Sequence, residues 1–154
     1  MEKIIKGLPT EQASQNFADQ LAEKLTAPLV MTFSGEIGAG KTTLIRAMLR
    51  SLGITSAIKS PTFSLVESYS CRAMDIHHFD LYRIHDVSEL EFIGFRDYFS
   101  PNAICCIEWP ERLVNYFEQI DLAFSLSLKG TGRALEGRAL SAAGAAILLS
   151  VAGN

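Results

Sequence analysis

Residues 35–42 read Gly-Glu-Ile-Gly-Ala-Gly-Lys-Thr, which matches the pattern G-x-x-x-x-G-K-[ST] at every defined position. Glycines let the backbone curl so that successive N–H groups converge, and the N-terminus of a following helix adds to their attraction for phosphate. Lys41 supplies a positive charge over the outer phosphates, and the Thr42 hydroxyl can bind magnesium. The residues expected to hold the nucleotide here are Gly38, Ala39, Gly40, Lys41, Thr42 and Thr43. The stretch therefore predicts a P-loop for a nucleoside triphosphate, with an accidental glycine turn as the alternative.

The flanking sequence supplies the context that a P-loop requires. Pro28 to Phe33 is apolar almost throughout, which is typical of a central strand buried on both faces. A helix is predicted from about Lys41 to Leu52, ending near Gly53. Strand, glycine-rich loop and helix thus follow in the order that phosphate binding demands.

Two acidic residues stand where other strands are expected to end. Asp80 closes the alternating run that begins at Ala73, and Glu108 directly follows the apolar run Ala103 to Ile107. Because the carboxyl ends of strands in an α/β sheet share one crevice, both carboxylates are expected near the γ-phosphate. We predict that Asp80 binds Mg²⁺, and that Glu108 orients the attacking water, binds the metal, or does both. A turn or cap aspartate and a plain surface glutamate are the alternatives.

Strands alternate with helices along the rest of the chain, which predicts the α/β class. The expected architecture is a three-layer P-loop NTPase with a mostly parallel central sheet and a C-terminal antiparallel hairpin. One domain is expected over residues 1–154, because no repeat or linker interrupts the chain. The remaining predicted strands are Glu2 to Leu8, Phe63 to Tyr69, Ala73 to Phe79, Leu122 to Leu128 and a hairpin partner around Arg138 to Ala142. The remaining predicted helices run from Thr10 to about Leu25, from Val87 to Ile93, from Pro110, and from Gly144 as a short last helix.

Composition narrows the function. The 154 residues carry a net charge of −3, which argues against a protein that binds nucleic acid without the help of a partner. Three cysteines, two of them adjacent, form neither a disulfide framework nor a zinc spacing, and are expected to be reduced thiols. The N-terminus lacks the apolar core of a signal peptide, and the apolar stretch Ala139 to Ala152 is too short to span a membrane. A cytoplasmic protein without a membrane partner is therefore expected.

Other P-loop classes fit less well. The guanine-reading Asn-Lys-x-Asp motif of GTPases is missing from the sequence, which favours ATP only weakly. A small-molecule kinase usually has an arginine-rich lid, whereas the arginines here are scattered, so a kinase remains the alternative to an ATPase. A module whose hydrolysis is incidental is a second alternative.

Several aromatic and histidine residues have ordinary structural explanations. His77 and His78 alternate across a strand, so only one can face the crevice, and a structural role is favoured for each. The sole tryptophan, Trp109, is predicted either in the core or stacked near the nucleotide or a partner. The aromatic residues Phe92, Phe95, Tyr98 and Phe99 are predicted to be core.

Four segments together resemble the TsaE (YjeE) family of small bacterial P-loop ATPases. They are Gly35 to Thr43, Ser60 to Phe63 (Ser-Pro-Thr-Phe), His78 to Arg83 (His-Phe-Asp-Leu-Tyr-Arg) and Ile107 to Glu111 (Ile-Glu-Trp-Pro-Glu). The likeness extends over nearly the whole chain, although the alanine-rich tail from Arg138 to Gly144 departs from the family pattern.

The resemblance implies an ATPase that supports formation of N6-threonylcarbamoyladenosine in tRNA without transferring the threonylcarbamoyl group itself. It implies binding to the proteins TsaD and TsaB, with tRNA reached only through them, and ATP and Mg²⁺ as ligands. By the same resemblance, Lys41 and Thr43 would hold phosphates, Thr42 and Asp80 would serve Mg²⁺, and Glu108 the metal or the water. Thr10 would lie near the base and Arg133 would reach the nucleotide. Ser60 to Phe63 resembles a switch segment, with a simple proline turn as the alternative.

Overall fold

The computed structural model describes residues 3–58 and 65–152. Within these ranges seven strands form one sheet in the order β1-β7-β6-β2-β5-β4-β3. The strands are β1 (Lys3–Leu8), β2 (Leu29–Ser34), β3 (Val66–Cys71), β4 (Met74–Asp80), β5 (Ala103–Glu108), β6 (Leu122–Lys129) and β7 (Gly132–Ala139). The helices are α1 (Glu11–Lys24), α2 (Lys41–Ser51), α3 (Ser88–Phe92) and α4 (Ala142–Ala152), with 3₁₀ turns at Phe95–Tyr98 and Pro110–Leu113.

The centre of the sheet is parallel and its flanks are antiparallel. Strands β6, β2, β5 and β4 run in one direction, whereas β1, β7 and β3 pair antiparallel with their neighbours. The apolar run of β2 lies between two parallel partners, which explains why it carries almost no polar residues. The predicted α/β P-loop architecture with its C-terminal hairpin (β6 and β7) is confirmed.

Helical elements cover both faces of the sheet. Helices α1, α2 and α4 pack over one face around the larger core cluster. The other face carries α3, the two 3₁₀ turns and an aromatic cluster around the buried rings of Phe79 and Phe95. The sheet and the helical elements on its two faces form three layers. The layer that contains α3 and the two 3₁₀ turns is thin. None of the helices in the described part of the chain combines the length and hydropathy that a transmembrane span requires.

Three predicted boundaries were wrong. The helix expected from Pro110 is one 3₁₀ turn, because Val114 is extended and Asn115 has a positive φ, which returns Phe117 to the aromatic cluster. The second hairpin strand begins at Gly132 instead of near Arg138, because a two-residue turn at Gly130 pairs Lys129 directly with Gly132.

The last helix begins at Ala142, before Gly144, and it is 11 residues long. Ser141 starts it, since its carbonyl accepts from the backbone N–H of Ala145 and its hydroxyl accepts from that of Gly144.

The prediction that the aromatic group is core fails at Phe92, which is 93% exposed because it faces away from the cluster that buries Phe95. The two cysteines of β5, Cys105 and Cys106, are buried thiols as expected, and Cys71 is half-buried.

Gly144 is the contact that seats α4 on the sheet. A Cβ placed there would lie 2.0 Å from the backbone oxygen of Asp121, which is fixed because it accepts from the N–H of Leu140 at 2.9 Å. The Asp121 carboxylate in turn accepts from the Ser141 hydroxyl at 2.5 Å and from the N–H of Val30 at 2.8 Å. Helix α4 and strand β2 are therefore both hydrogen-bonded to Asp121. Moving either of them to make room for a Cβ at position 144 would break these hydrogen bonds.

We accordingly expect Gly144→Ala to destabilise the fold by at least about 2 kcal/mol, although the same change normally stabilises a helix. The melting temperature should fall by roughly 4–8 °C in a thermal unfolding experiment. Gly7→Ala is the control, because a Cβ at Gly7 meets nothing within 4 Å. Its effect should stay within about 0.5 kcal/mol, and equal melting temperatures for the two variants would contradict the role of Gly144.

Candidate functional site

The P-loop connects the carboxyl end of β2 to the first residue of α2. Gly35, Gly38 and Gly40 all have positive φ values, at 140°, 84° and 101°, which favour glycine over residues with a side chain. At Gly35 a Cβ would also come within 2.4 Å of the backbone oxygen of Leu126. Gly40 stands at the N-cap position of α2 and has no side chain to satisfy the first N–H groups of that helix. These N–H groups therefore face the loop, as an anion site requires.

Lys41 is buried beneath the loop that precedes it. Its ammonium donates to the backbone oxygen of Gly35 and, at 3.0 Å, to that of Glu36. It also lies 4.2 Å from the ring centroid of Trp109. Burial lowers the pKa of Lys41, and the nearby carboxylates Glu108, Glu111 and Asp80 oppose that shift. The cation thus lies inside the bend of the loop, among groups of partial or full negative charge.

Thr42 is joined to Glu108 across the cleft. The Thr42 hydroxyl lies 3.0 Å and 2.9 Å from the two carboxylate oxygens of Glu108, to which it donates. Glu108 is the last residue of β5 and is only 2% exposed, and His78 Nε2 lies 2.6 Å from its Oε2 atom. A hydroxyl that donates to a carboxylate keeps its lone pairs free for a cation.

Asp80 faces the same cleft from the adjacent strand. The parallel register pairs Asp80 with Glu108, so the two carboxyl ends of β4 and β5 are level. Burial raises the pKa of Asp80, the negative charge of Glu108 adds to the rise, and the N–H of Tyr82, which donates at 3.1 Å, opposes it. A buried carboxylate beside a half-buried one is an arrangement that a divalent cation stabilises.

A cleft of about 340 Å³ lies over the P-loop and contains the predicted phosphate and metal residues. It is lined by Ile37, Gly38, Gly40, Lys41, Thr42, Thr43, Asp80, Tyr82, Glu108, Trp109 and Arg133. Ala39 is buried outside the lining, and its backbone N–H donates to the carbonyl oxygen of Glu36 at 3.0 Å. Trp109 meets both of its predicted alternatives, because it packs against the aromatic core cluster and also lines the cleft, with Tyr82 at 4.8 Å between ring centroids.

A second cleft of about 360 Å³ adjoins the first and shares Gly40, Thr43 and Arg133 with it. Thr10 lines this second cleft, where its hydroxyl caps α1 by accepting from the N–H of Ala13 at 3.0 Å. Arg133 donates to the backbone oxygen of Gly38 at 3.3 Å and so stands at the boundary of the two clefts.

The oxygen donors fit a magnesium ion that is shared with phosphates. In the described part of the chain, no group of three or more His, Cys, Asp or Glu side chains is arranged to hold a metal by itself. Thr42, Asp80 and Glu108 offer one hydroxyl and two carboxylates, and Mg²⁺ typically takes one or two carboxylates together with substrate phosphates and waters. The ion would therefore depend on the nucleotide for part of its coordination.

His78 is the member of the site that sequence reasoning missed. A structural role was favoured for both histidines, but only His77, on the opposite face, has surroundings that are remote from the P-loop. His78 and Asp80 are two residues apart on one strand, so the alternation that places Asp80 in the cleft also places His78 on that face. The predicted segment Ser60 to Phe63 lies outside the described residues.

Comparison with known proteins gives one consistent family. The family described as "Threonylcarbamoyl adenosine biosynthesis protein TsaE" matches residues 8–135. A Haemophilus influenzae protein named tRNA threonylcarbamoyladenosine biosynthesis protein TsaE is 40% identical over 141 residues, covering 88% of this chain and 89% of the relative. The Bacillus subtilis protein of the same name is 34% identical over 112 residues, covering 70% of each chain.

A solved structure supports the same fold. The crystal structure of Bacillus subtilis YdiB superposes with a TM-score of 0.80, covering 97% of this chain and 94% of that one. Its sequence identity is 20%, so the likeness concerns the fold alone.

Proposed function

Since this chain belongs to the TsaE family of threonylcarbamoyl adenosine biosynthesis proteins, we propose that it is a Mg²⁺-dependent ATPase that supports N6-threonylcarbamoyladenosine formation in tRNA. In this role it hydrolyses ATP and leaves transfer of the threonylcarbamoyl group to its partners, TsaD and TsaB. Because the proposed role is in tRNA modification, we propose that the protein is located in the cytoplasm.

One observation carries the proposal: Lys41, Thr42, Asp80 and Glu108, from three different elements, converge on one cleft at the carboxyl ends of parallel strands. Ligands bind at this edge of open α/β sheets. A cation, a hydroxyl and two carboxylates around a glycine-rich nest are the groups that a nucleoside triphosphate with a divalent ion requires.

Each residue has a distinct task in the proposed reaction. The N–H groups of Gly38 and Gly40 and the Lys41 ammonium hold the outer phosphates, with Thr43 adding a hydroxyl. Thr42 and Asp80 bind the magnesium. Glu108 accepts the Thr42 hydroxyl and thereby fixes its lone pairs toward the metal, and its carboxylate orients the attacking water. A magnesium ion held there would supply positive charge to the transferring phosphoryl group.

The second cleft is proposed to accept the ribose and base. Thr10 and Arg133 line it from α1 and β7, and Arg133 also contacts the P-loop. The choice of ATP over GTP rests on the absence of the guanine-reading Asn-Lys-x-Asp motif from the sequence, which favours ATP only weakly.

The chain alone is expected to hydrolyse ATP slowly. Of the described residues that line the phosphate cleft, Lys41 and Arg133 are cationic, and Lys41 already donates to two loop carbonyls. A transition state with three charged equatorial oxygens gains much from a further cation, which a partner can supply. The net charge of −3 supports contact with tRNA through TsaD and TsaB and not directly.

Phosphate release from ATP and Mg²⁺, measured with and without the TsaB–TsaD pair, tests the proposal. We expect weak release alone and a rise of ~10-fold or more with the pair, after subtraction of release by the pair alone. If the rate of phosphate release does not change when the pair is added, the assignment of TsaB and TsaD as partners is wrong, but the nucleotide site is not excluded. A phosphorylated small molecule in place of free phosphate would make the chain a kinase.

A further inference from the structure

A buried chain of hydrogen bonds links Thr42, Glu108 and His78. Thr42 donates to both oxygens of Glu108, and His78 Nε2 lies 2.6 Å from Oε2 alone. The side chains of His78 and Glu108 are 1% and 3% exposed, so hydrogen bonds within the protein replace most of those to bulk water. A buried carboxylate needs such donors, and a bond of this length to a charged acceptor is among the stronger ones in proteins.

The sheet fixes His78 in this position. In the parallel register His78 pairs with Cys106, two residues before Glu108, so its ring reaches along the sheet toward the end of β5. The adjacent residue, His77, points to the opposite face, where its Nδ1 lies 2.7 Å from the Ser68 hydroxyl and its ring meets Tyr98. The two histidines thus have different surroundings although they are neighbours in sequence.

The hydrogen bonds also indicate which ring nitrogen carries a proton. His78 Nε2 must donate, because the Glu108 oxygen that it contacts is an acceptor. The other nitrogen, Nδ1, is buried and has no hydrogen-bond partner among the described residues. A proton there would be an unsatisfied buried donor, so Nε2 is the ring nitrogen at which the surroundings favour a proton.

We propose that His78 is a positioning residue of this site, which holds the Glu108 carboxylate by Oε2 so that Oε1 and the Thr42 hydroxyl keep their orientation toward metal and water. His78 acts only through Glu108, since its Nε2 is occupied by that carboxylate and it does not line the cleft. Without it, the Thr42 hydroxyl is left to restrain the carboxylate, whose terminal torsion then varies more widely and no longer fixes the orientation of Thr42. The inference rests on the proposed nucleotide site.

Two substitutions at His78 and one matched control separate positioning from simple packing. His78→Leu removes the donor, whereas His78→Gln retains an N–H near the position of Nε2. His77→Leu is the control on the opposite face. We expect His78→Leu to lower kcat about 10- to 100-fold and to raise the Mg²⁺ concentration that half-saturates binding of a non-hydrolysable ATP analogue, by a similar factor. His78→Gln should recover most of both losses, and His77→Leu should change neither.

Imidazole nitrogen NMR of the unsubstituted chain gives a readout that needs neither nucleotide nor turnover. The expected spectrum shows His78 protonated at Nε2, with that signal shifting in Glu108→Gln while the signals of His77 do not. The proposal is overturned if the proton lies on Nδ1 alone, or if folded His78→Leu keeps the parent's turnover and Mg²⁺ dependence. It is also overturned if His78→Gln is as impaired as His78→Leu. Loss of the proposed function is distinguishable, because the parent chain would then bind no nucleotide while the spectrum still reported on the Glu108 contact.

Discussion

Lys41→Ala is expected to lower ATP turnover by about 10²- to 10³-fold and to weaken nucleotide binding. The ammonium is held inside the bend of the P-loop by the carbonyl oxygens of Gly35 and Glu36, and alanine leaves no cation there. The sole tryptophan, Trp109, lies against the ammonium, so its fluorescence should respond to ATP in the parent chain and lose that response in the variant. Phosphate release and a fluorescence titration check the two effects.

Lys24→Ala is the matched control for this prediction, because Lys24 is an exposed lysine in the last turn of α1. It should leave turnover and the fluorescence response unchanged. Thermal unfolding of both variants is measured alongside, because Lys41→Ala leaves the nearby carboxylates without their buried cation and is expected to lower the melting temperature. Full turnover in folded Lys41→Ala would rule out the assigned site.

Glu108→Gln is expected to lower turnover by about 10²- to 10⁴-fold. The amide is nearly the same shape as the carboxylate, but it has no negative charge with which to orient water or complement the metal. ATP binding should survive, because Lys41 and the loop N–H groups hold the phosphates. A fall in kcat with little change in KM, measured by phosphate release, is the expected signature.

Glu111→Gln provides the same chemical change outside the cleft. Glu111 is exposed on the 3₁₀ turn after β5, and its charge acts on Lys41 without lining the site. Its turnover should therefore stay near that of the parent. A Glu108→Gln chain with unchanged kcat would exclude Glu108 from the reaction, and one that lost ATP binding outright would assign it to binding alone.

The P-loop and its surrounding strand and helix could be predicted because their residues carry local constraints. Glycines at 35, 38 and 40 adopt positive φ angles, and the apolar run of β2 reports its burial on both sides. Asp80 and Glu108 were predictable for a further reason: each ends a strand, and parallel strands end at one edge.

The wrong boundaries arise where tertiary contacts outweigh local preference. Pro110 favours the start of a helix, but the helix ends after one 3₁₀ turn because Phe117 packs into the aromatic cluster. Phe92 reads as core from its neighbours, yet it lies on the outer side of α3, 93% exposed. Both outcomes depend on which face of a short segment packs against the core. Helix α3 has only five residues, too few for a hydrophobic periodicity that would predict its buried face.

The sequence by itself determined where the glycine-rich loop of the P-loop pattern lies, which residues compose it, and which two carboxylates end the neighbouring strands. These features are local, because backbone conformation and strand burial restrict residue type at each position. Only the tertiary structure decided that Glu108 accepts from Thr42, that Trp109 covers Lys41, and that His78 holds Glu108. Those contacts join residues 30 to 68 positions apart, and they follow from the register of β4 against β5 and from the packing of α2 on the sheet, which no stretch of sequence specifies alone.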